Sequence, residues 1–172
     1  MATNRYALSD YELQITFPQN TSGEQKLPDL CIGGPGQNGY EGSFLGSIKV
    51  TRNNNLWETE GDATGSWVHS KNLNRVGTVE LDIRQISDDI LKFAYICTFY
   101  ESNEQDTLGG CTIRIVNSYN GIVVAECLDC YITKIPDQTY GATAENQSWT
   151  FTSGCVRMYK DITIDTDGNV SY

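Results

Sequence analysis

The sequence predicts a mainly β fold, a sheet with one apolar and one polar face and one flanking α-helix, built as a single domain over residues 1–172. Apolar and polar residues alternate in several segments, which is typical of strands with one buried and one solvated face. Clusters of glycine, asparagine, aspartate and proline separate these segments. Only one stretch combines acidic residues at its start with a broad apolar face, as a helix packed on a sheet does.

The N-terminal half alternates strands with long polar connections. Alternation predicts a first strand over Tyr11–Phe17, ended by Pro18. Residues 19–43 are rich in turn formers, which predicts a long loop or an N-terminal arm. Two further alternating segments predict strands at Phe44–Arg52 and Val76–Ile86.

The connection between those two strands, residues 53–75, is polar and yet holds Trp57 and Trp67. We expect Leu56–Thr59 to pair with Ser66–Ser70 as a projecting hairpin. A connection this polar has no core of its own, so the indoles either contact a partner or fold back as a small satellite cluster. The residues of the connection leave both alternatives open.

The helix and the later strands follow in the C-terminal half. Ser87 is suited to be an N-cap before two aspartates, which predicts a helix at about residues 88–100. Strands are predicted at Cys111–Val116 and Ile122–Ile135, joined by a hairpin turn that contains glycine. The alternation fails near Glu126–Cys130, which indicates a bulge.

The last strand segment carries Trp149 and Phe151 on one face. Beyond it, Asp165–Asn169 resembles the start of a calcium loop, but no glutamate stands at the twelfth position. An Asp-Gly pair between strands is typical of a hairpin turn, so we expect a turn there.

Composition excludes several classes of function. The chain has 22 acidic and 12 basic residues, a formal charge of -10, and no lysine or arginine cluster, so sequence-specific nucleic-acid recognition is excluded. The chain contains no run of about twenty apolar residues, so no membrane-spanning helix is predicted. The N-terminal residues lack the pattern of a signal peptide, so we expect a chain that is cytosolic when made.

The six cysteines are expected to be buried thiols, because no secretory signal accompanies them. Cys127 and Cys130 form the only CxxC motif. On a regular strand, residues three apart face opposite sides of the sheet, so the two sulfurs bind one ion only if a bulge intervenes. No metal site and no cofactor are predicted.

Catalytic candidates are sparse. His69 is the single histidine, and no motif for a nucleophile accompanies it. The acidic pairs Glu58 with Glu60 and Glu80 with Asp82 are interpreted as solvated strand faces. We therefore predict no catalytic residues and no enzyme, and the residues favour either a binding module or an assembly subunit.

Three segments, in order along the chain, resemble the tail tube proteins of contractile-tailed bacteriophages. The first segment is similar to the opening strand of that family, the second to its strand, polar hairpin, strand and helix entry, and the third to its late Pro-Asp turn followed by an aromatic strand. These segments are RYALSDYELQITFP, KVTRNNNLWETEGDATGSWVHSKNLNRVGTVELDIRQIS and CYITKIPDQTYGATAENQSWTFT. Residues 19–43 and the six cysteines depart from the family pattern.

The resemblance implies a small β-barrel or sandwich with a flanking helix, in a virion structural protein whose six copies close into a ring with one continuous inner β-barrel. Stacked rings would then make the channel for DNA ejection. The inner barrel would comprise Phe44–Arg52, Val76–Ile86, Cys111–Val116 and Ile122–Lys134. The residues implied to line the lumen are Ser47, Lys49, Thr51, Thr78, Glu80, Asp82, Arg84, Thr112 and Arg114; their mixed charges leave the sign of the lumen potential open.

The resemblance also implies partners for the projecting hairpin and for the tube. The residues expected to contact the next ring are Trp57, Glu58, Asp62, Trp67 and His69. The implied partners are other copies of this chain, a tail sheath protein, a tape-measure protein, and baseplate and tail terminator proteins. Double-stranded DNA would pass transiently, without sequence-specific binding. The expected location is the virion tail, after assembly in the host cytoplasm.

Two alternatives stay open. The first is a carbohydrate- or cell-surface-binding β-sandwich that uses Trp57, Trp67 and Trp149 as stacking platforms. The second is the inner tube of a related contractile secretion or bacteriocin particle.

Overall fold

A seven-stranded antiparallel sheet forms the body of the protein in a computed structural model, which describes residues 6–19, 23, 27–34, 45–102 and 109–171. The elements in chain order are a 3-10 turn (Leu8–Asp10), β1 (Tyr11–Thr16), β2 (Leu30–Gly33), β3 (Leu45–Arg52), β4 (Trp57–Gly61), β5 (Trp67–Lys71), β6 (Gly77–Arg84), α1 (Asp88–Ser102), β7 (Cys111–Asn117), β8 (Ile122–Ile132), β9 (Asn146–Met158), β10 (Thr163–Ile164) and β11 (Val170–Ser171). The sheet order is β2-β1-β7-β8-β9-β6-β3. The pairs β4-β5 and β10-β11 are separate two-stranded sheets.

The sheet curls so that its two edge strands approach each other. Gly33 on β2 lies so close to Leu45 on β3 that a Cβ atom added at Gly33 would stand 2.9 Å from Cδ2 of Leu45. Gly33 also has a φ of 75°, which favours glycine. An apolar cleft of about 290 Å³ lies inside the curl, with Tyr11, Val50 and Met158 among its lining residues. Among the described strands, β2 and β3 are the two ends of the sheet, so each has one open edge.

The core lies between the inner face of the curled sheet and α1. Phe93 on the helix packs its ring 5.2 Å from the ring of Trp149 and 5.6 Å from the ring of Phe151, centroid to centroid. The backbone N–H of Asp89 donates to Oγ of Ser87 over 3.3 Å, which is the predicted cap at the helix start. Around these rings lie alternate residues of β1, β6 and β7, all fully or almost fully buried: Leu13, Ile15, Val79, Leu81, Ile83, Ile113 and Ile115.

The mainly β fold with one flanking helix is confirmed, and so is the hairpin within residues 53–75. The loop or arm predicted over residues 19–43 contains one strand that the prediction did not include, Leu30–Gly33. Its four residues add to the outer edge of β1, and Ile32 is buried in the core. Much of the remaining segment, and Phe44, lie outside the described residues.

The bulge predicted near Glu126–Cys130 is present, and it changes the side of the strand on which the cysteines lie. The register between β7 and β8 shifts between Cys111 and Ile113, and Asp129 has a φ of 55°. Cys127 and Cys130 are consequently both buried, although a regular strand would place them on opposite sides. All six cysteines are free thiols, and the described residues include no group of three side chains arranged to hold a metal ion.

Trp149 is completely buried beneath the helix, which rules it out as a stacking platform for a sugar. Within the described ranges, no helix has the length and apolar character of a membrane span.

Candidate functional site

The outer face of the sheet, opposite the core, collects all nine residues predicted to line a lumen. Directly paired residues of antiparallel strands share a face. The pairs Ser47 with Asp82, Lys49 with Glu80 and Thr51 with Thr78 therefore lie beside one another on β3 and β6, on the side opposite the buried Val79, Leu81 and Ile83. Arg84 on β6 and Thr112 and Arg114 on β7 lie on the same outer face, because they alternate with the buried residues of their strands.

Hydrogen bonds and ion pairs link the strands across this outer face. Lys49 Nζ lies 3.0 Å from Glu80 Oε2, and both side chains are well exposed. Such an exposed ion pair contributes at most about 1 kcal/mol. Asp82 accepts a hydrogen bond of 2.7 Å from Ser47 Oγ and another from Ser148 Oγ on β9. The acid at position 82 thus ties β3, β6 and β9 together.

A second charge cluster centres on Glu126 of β8, whose side chain is only 12% exposed. Its carboxylate lies 2.7 Å from Lys160 Nζ, 3.6 Å from Arg157 Nη1 and 4.0 Å from Arg114 Nε. Sequence reasoning missed this cluster, because the bulge at Asp129 obscures which face the residues of β8 occupy. The pairing of Glu126 with both Arg114 and Arg157 is a matter of register, which local alternation does not reveal.

Strand β9 adds polar residues to the same face that sequence reasoning also missed. Thr150 and Thr152 stand opposite Glu80 and Thr78. The alternation of Ser148, Thr150 and Thr152 with buried aromatic residues was a usable signal for them. Basic and acidic groups on the completed face nearly balance, although the whole chain carries a formal charge of -10.

The β4-β5 hairpin holds both exposed indoles on one face. Trp57 pairs with Lys71, and Gly61 pairs with Trp67. Since direct partners share a face and the face repeats every second residue, Trp57 and Trp67 lie on the same side. Their exposed fractions are 57% and 68%. The alternative of a satellite cluster is therefore wrong, because both indoles face solvent.

The hairpin is held in shape by its own hydrogen bonds. Thr59 Oγ1 and His69 Nδ1 lie 2.8 Å apart, between the two indoles on the same face. At the tip, Oδ1 of Asp62 accepts from the backbone N–H groups of Thr64 at 2.9 Å and Ser66 at 3.0 Å. The side-chain hydrogen bond from Thr64, followed by these backbone bonds, lowers the pKa of Asp62 below its ordinary 3.8.

Glu58 and Glu60 lie on the opposite face of the hairpin from the indoles. Their partners across the two strands are Ser70 and Val68. All the residues of β4 and β5 are exposed, so neither carboxylate is enclosed in a pocket. This hairpin has the character of a contact surface.

A curled sheet whose end strands have no outer partner among the described strands, together with one polar face and a hairpin that exposes two indoles, is typical of a protein with surfaces for contact with other chains. The family profile described as Bacteriophage PhiTE tail tube protein matches residues 30–160. This chain belongs to that family: it is a structural subunit of a phage tail tube and a component of the virion tail.

Chains of solved contractile injection systems align with this chain at low sequence identity. A chain of the extended sheath-tube complex of PVC, an extracellular contractile injection system, aligns with a TM-score of 0.50 and 10% identity, over 91% of this chain and 93% of that chain. A chain of the six-fold symmetrised baseplate of the anti-feeding prophage aligns with a TM-score of 0.47 and 10% identity, over 92% and 97%. A chain of the PVC sheath/tube terminator aligns at 0.46 and 10%, over 90% and 97%. No curated protein matches the chain.

Proposed function

We propose that this tail tube subunit assembles into hexameric rings, which stack into the hollow channel for DNA ejection. The observation that supports the proposal best is the pair of open strand edges, β2 and β3, at the ends of the curled sheet. An open edge exposes unpaired N–H and C=O groups, and pairing with another copy satisfies them. Closure of the pairing around a ring removes the edges altogether. Six copies per ring is the number that the family resemblance implies.

In the proposed tube, the outer polar face of each sheet lines the lumen. The residues are the nine named above: Ser47, Lys49, Thr51, Thr78, Glu80, Asp82, Arg84, Thr112 and Arg114. Because Lys49 is paired with Glu80 and Arg114 lies beside Glu126, these cations are partly neutralised before any phosphate approaches. Affinity for DNA rises with the number of phosphates that free cations neutralise, so such a lumen lets DNA pass without holding it.

The hairpin is proposed to contact the next ring through Trp57, Glu58, Asp62, Trp67 and His69. Both indoles lie on one face, so a single surface of the neighbouring subunit can cover them together. Burial of each indole at a well-packed contact would contribute about 2 kcal/mol or more. Asp62 at the tip suits the polar rim of such a contact, whereas Glu58 faces away from the indoles and would contact the neighbouring ring from the other side of the hairpin.

The remaining proposed partners follow from the place of a tube in a contractile tail. A sheath surrounds the tube, a tape-measure protein occupies the lumen before DNA does, and baseplate and terminator proteins cap the two ends. The structure of similar fold from PVC is a sheath-tube complex, which supports the sheath as a partner. Assembly is proposed to take place in the host cytoplasm.

Negative-stain imaging of the purified chain over a concentration series tests the proposal. Rings or hollow tubes with six-fold symmetry are expected. Monomers at every concentration that bind glycans would overturn the proposal in favour of a carbohydrate-binding module. The burial of Trp149 already removes one of the three platforms on which that module would depend.

A further inference from the structure

Two cysteines lie directly opposite each other inside the protein. Cys111 at the start of β7 pairs with Cys130 on β8, and their exposed fractions are 3% and 1%. Directly paired residues of antiparallel strands have Cα atoms roughly 4.5 or 5.5 Å apart. Both separations fall within the range of about 4.4–6.8 Å that a disulfide spans. The strands therefore already hold these two residues at the distance that a disulfide needs.

The two thiols are also turned to the same side. Both residues belong to the buried core, and Sγ of Cys111 donates a hydrogen bond of 3.3 Å to the carbonyl oxygen of Cys130. The bulge at Asp129 is what turns Cys130 inward. Cys127 lies opposite Ile113, and Cys155 lies opposite Leu128, so neither faces another cysteine across its strand pair.

We propose that Cys111 and Cys130 form an oxidative modification site, at which a small peroxide joins β7 to β8 through a reversible disulfide. We name a small peroxide as the oxidant because both sulfurs are buried, which excludes bulkier oxidants. The cross-link would fix the β7-β8 register at the bulge, next to Thr112 and Arg114 of the outer polar face.

The reaction runs in two balanced steps. The thiolate of Cys130 attacks one peroxide oxygen; an S–O bond forms, the O–O bond breaks, and hydroxide leaves. The hydroxide takes the proton of the Cys111 thiol and becomes water. The Cys111 thiolate then attacks the Cys130 sulfur, an S–S bond forms, and the oxygen departs as a second water after it gains a proton from solvent. Hydrogen peroxide is reduced, and the two thiols lose two electrons and two protons.

The local hydrogen bonds assign the first step to Cys130. The neighbouring Cys130 and burial raise the pKa of Cys111, whose thiol keeps its proton on the carbonyl oxygen of Cys130, whereas the neighbouring Cys111 lowers the pKa of Cys130. The thiolate is the nucleophile in such reactions, so the residue with the lower pKa reacts first.

The timing of the cross-link, though not the site, rests on the proposed function. In the reducing host cytoplasm the pair stays as thiols, so strands can still adjust while the tube assembles. After release of the virion, peroxide closes the bond in the finished tail. The closed pair would stiffen the seam between two strands that carry the outer polar face.

Peptide mapping of the purified full chain tests the site without any need for tube assembly. The reduced protein is treated with hydrogen peroxide, alkylated, and cut with trypsin and a protease that cleaves after glutamate and aspartate. Cleavage after Asp129 separates Cys130 from Cys127. The expected product is Thr107–Arg114 joined to Cys130–Lys134, with loss of two hydrogens and complete reversal by dithiothreitol. Alkylated thiols at both positions, or a bridge from Cys127 to Cys130, would overturn the proposal.

Thermal melting of variants supplies a second readout. Peroxide is expected to raise the Tm of the wild-type chain by about 5–10 °C, because the bond closes a loop of roughly 20 residues. Cys111→Ala and Cys130→Ala should abolish this rise, and the matched variant Cys127→Ala should keep it. A rise that survives in Cys111→Ala would count against the site, and the wild-type peptide map remains decisive if either variant fails to fold.

Discussion

At the scale of single residues, the three tryptophans divide into two kinds. Trp149 is fully buried against Phe93 and Phe151, and it belongs to the core of the subunit. Trp57 and Trp67 are more than half exposed on one face of a hairpin. Tryptophan thus stabilises the subunit core at position 149, whereas at positions 57 and 67 it exposes apolar surface to solvent.

This division predicts opposite effects for two substitutions to alanine. Trp57→Ala should leave the melting of the isolated subunit within about 2 °C of wild type, because it removes few contacts there. It should block or strongly slow tube growth. Trp149→Ala, the matched control, should lower the free energy of unfolding by about 3–5 kcal/mol. Loss of cooperative melting in Trp57→Ala would mean that this indole belongs to the subunit core.

Glu126 provides a second residue prediction, since its largely buried carboxylate faces three cations. Glu126→Gln should lower the free energy of unfolding by about 1–3 kcal/mol, because Lys160, Arg157 and Arg114 are then left to repel one another. Glu80→Gln, which breaks the exposed pair with Lys49, should cost less than about 1 kcal/mol. Urea unfolding measures both. Equal losses for the two variants would show that burial of Glu126 has no energetic consequence.

At the scale of elements, the β4-β5 hairpin keeps its shape without a core. Its two strands are joined by cross-strand hydrogen bonds, and the tip is ordered around the carboxylate of Asp62. A hairpin of this kind is only marginally stable by itself, so its tip hydrogen bonds matter for presenting both indoles together.

The tip should therefore respond to acid. The pKa of Asp62 is lowered in the folded hairpin, so the stabilisation is present above the ordinary value of 3.8 and is lost as the pH falls through the folded pKa. We expect the amide NMR shifts of Thr64 and Ser66 to titrate together with a midpoint below 3.8. Asp62→Ala should remove that titration. A midpoint at or above the ordinary value would contradict the hydrogen-bonded tip.

At the scale of the whole molecule, local alternation in the sequence predicted most of the strands, whereas contacts that depend on the pairing of distant strands were not predicted. Alternation predicted β1, β6, β7 and β9 because alternate residues of each are buried in the core, and it predicted β3 because Ile48 and Val50 pack against that core. Strand β2 was missed since its four residues stand among glycines and prolines and become a strand only by pairing with β1. The cluster at Glu126 was missed because it brings together three strands and the chain beyond β9, and local periodicity carries no information on register.

The nine outer-face residues were found for a related physical reason. Each occupies a polar position in a regular alternation of polar and apolar residues. The family resemblance then led to the interpretation of that face as the lining of a lumen. The charge balance of the face could not be predicted from the sequence, because Arg157 and Lys160 reach Glu126 only after β8 and β9 have paired.

The central claim is that other copies of the chain complete the sheet. Hydrogen–deuterium exchange, compared between isolated subunits and assembled particles, tests it most directly. Assembly is predicted to slow exchange at the open edge of β3 and across the β4-β5 hairpin, while the central strands β6 and β9, already paired on both sides, change little. Assembled particles in which β3 and the hairpin exchange as fast as in the isolated subunit would contradict the claim.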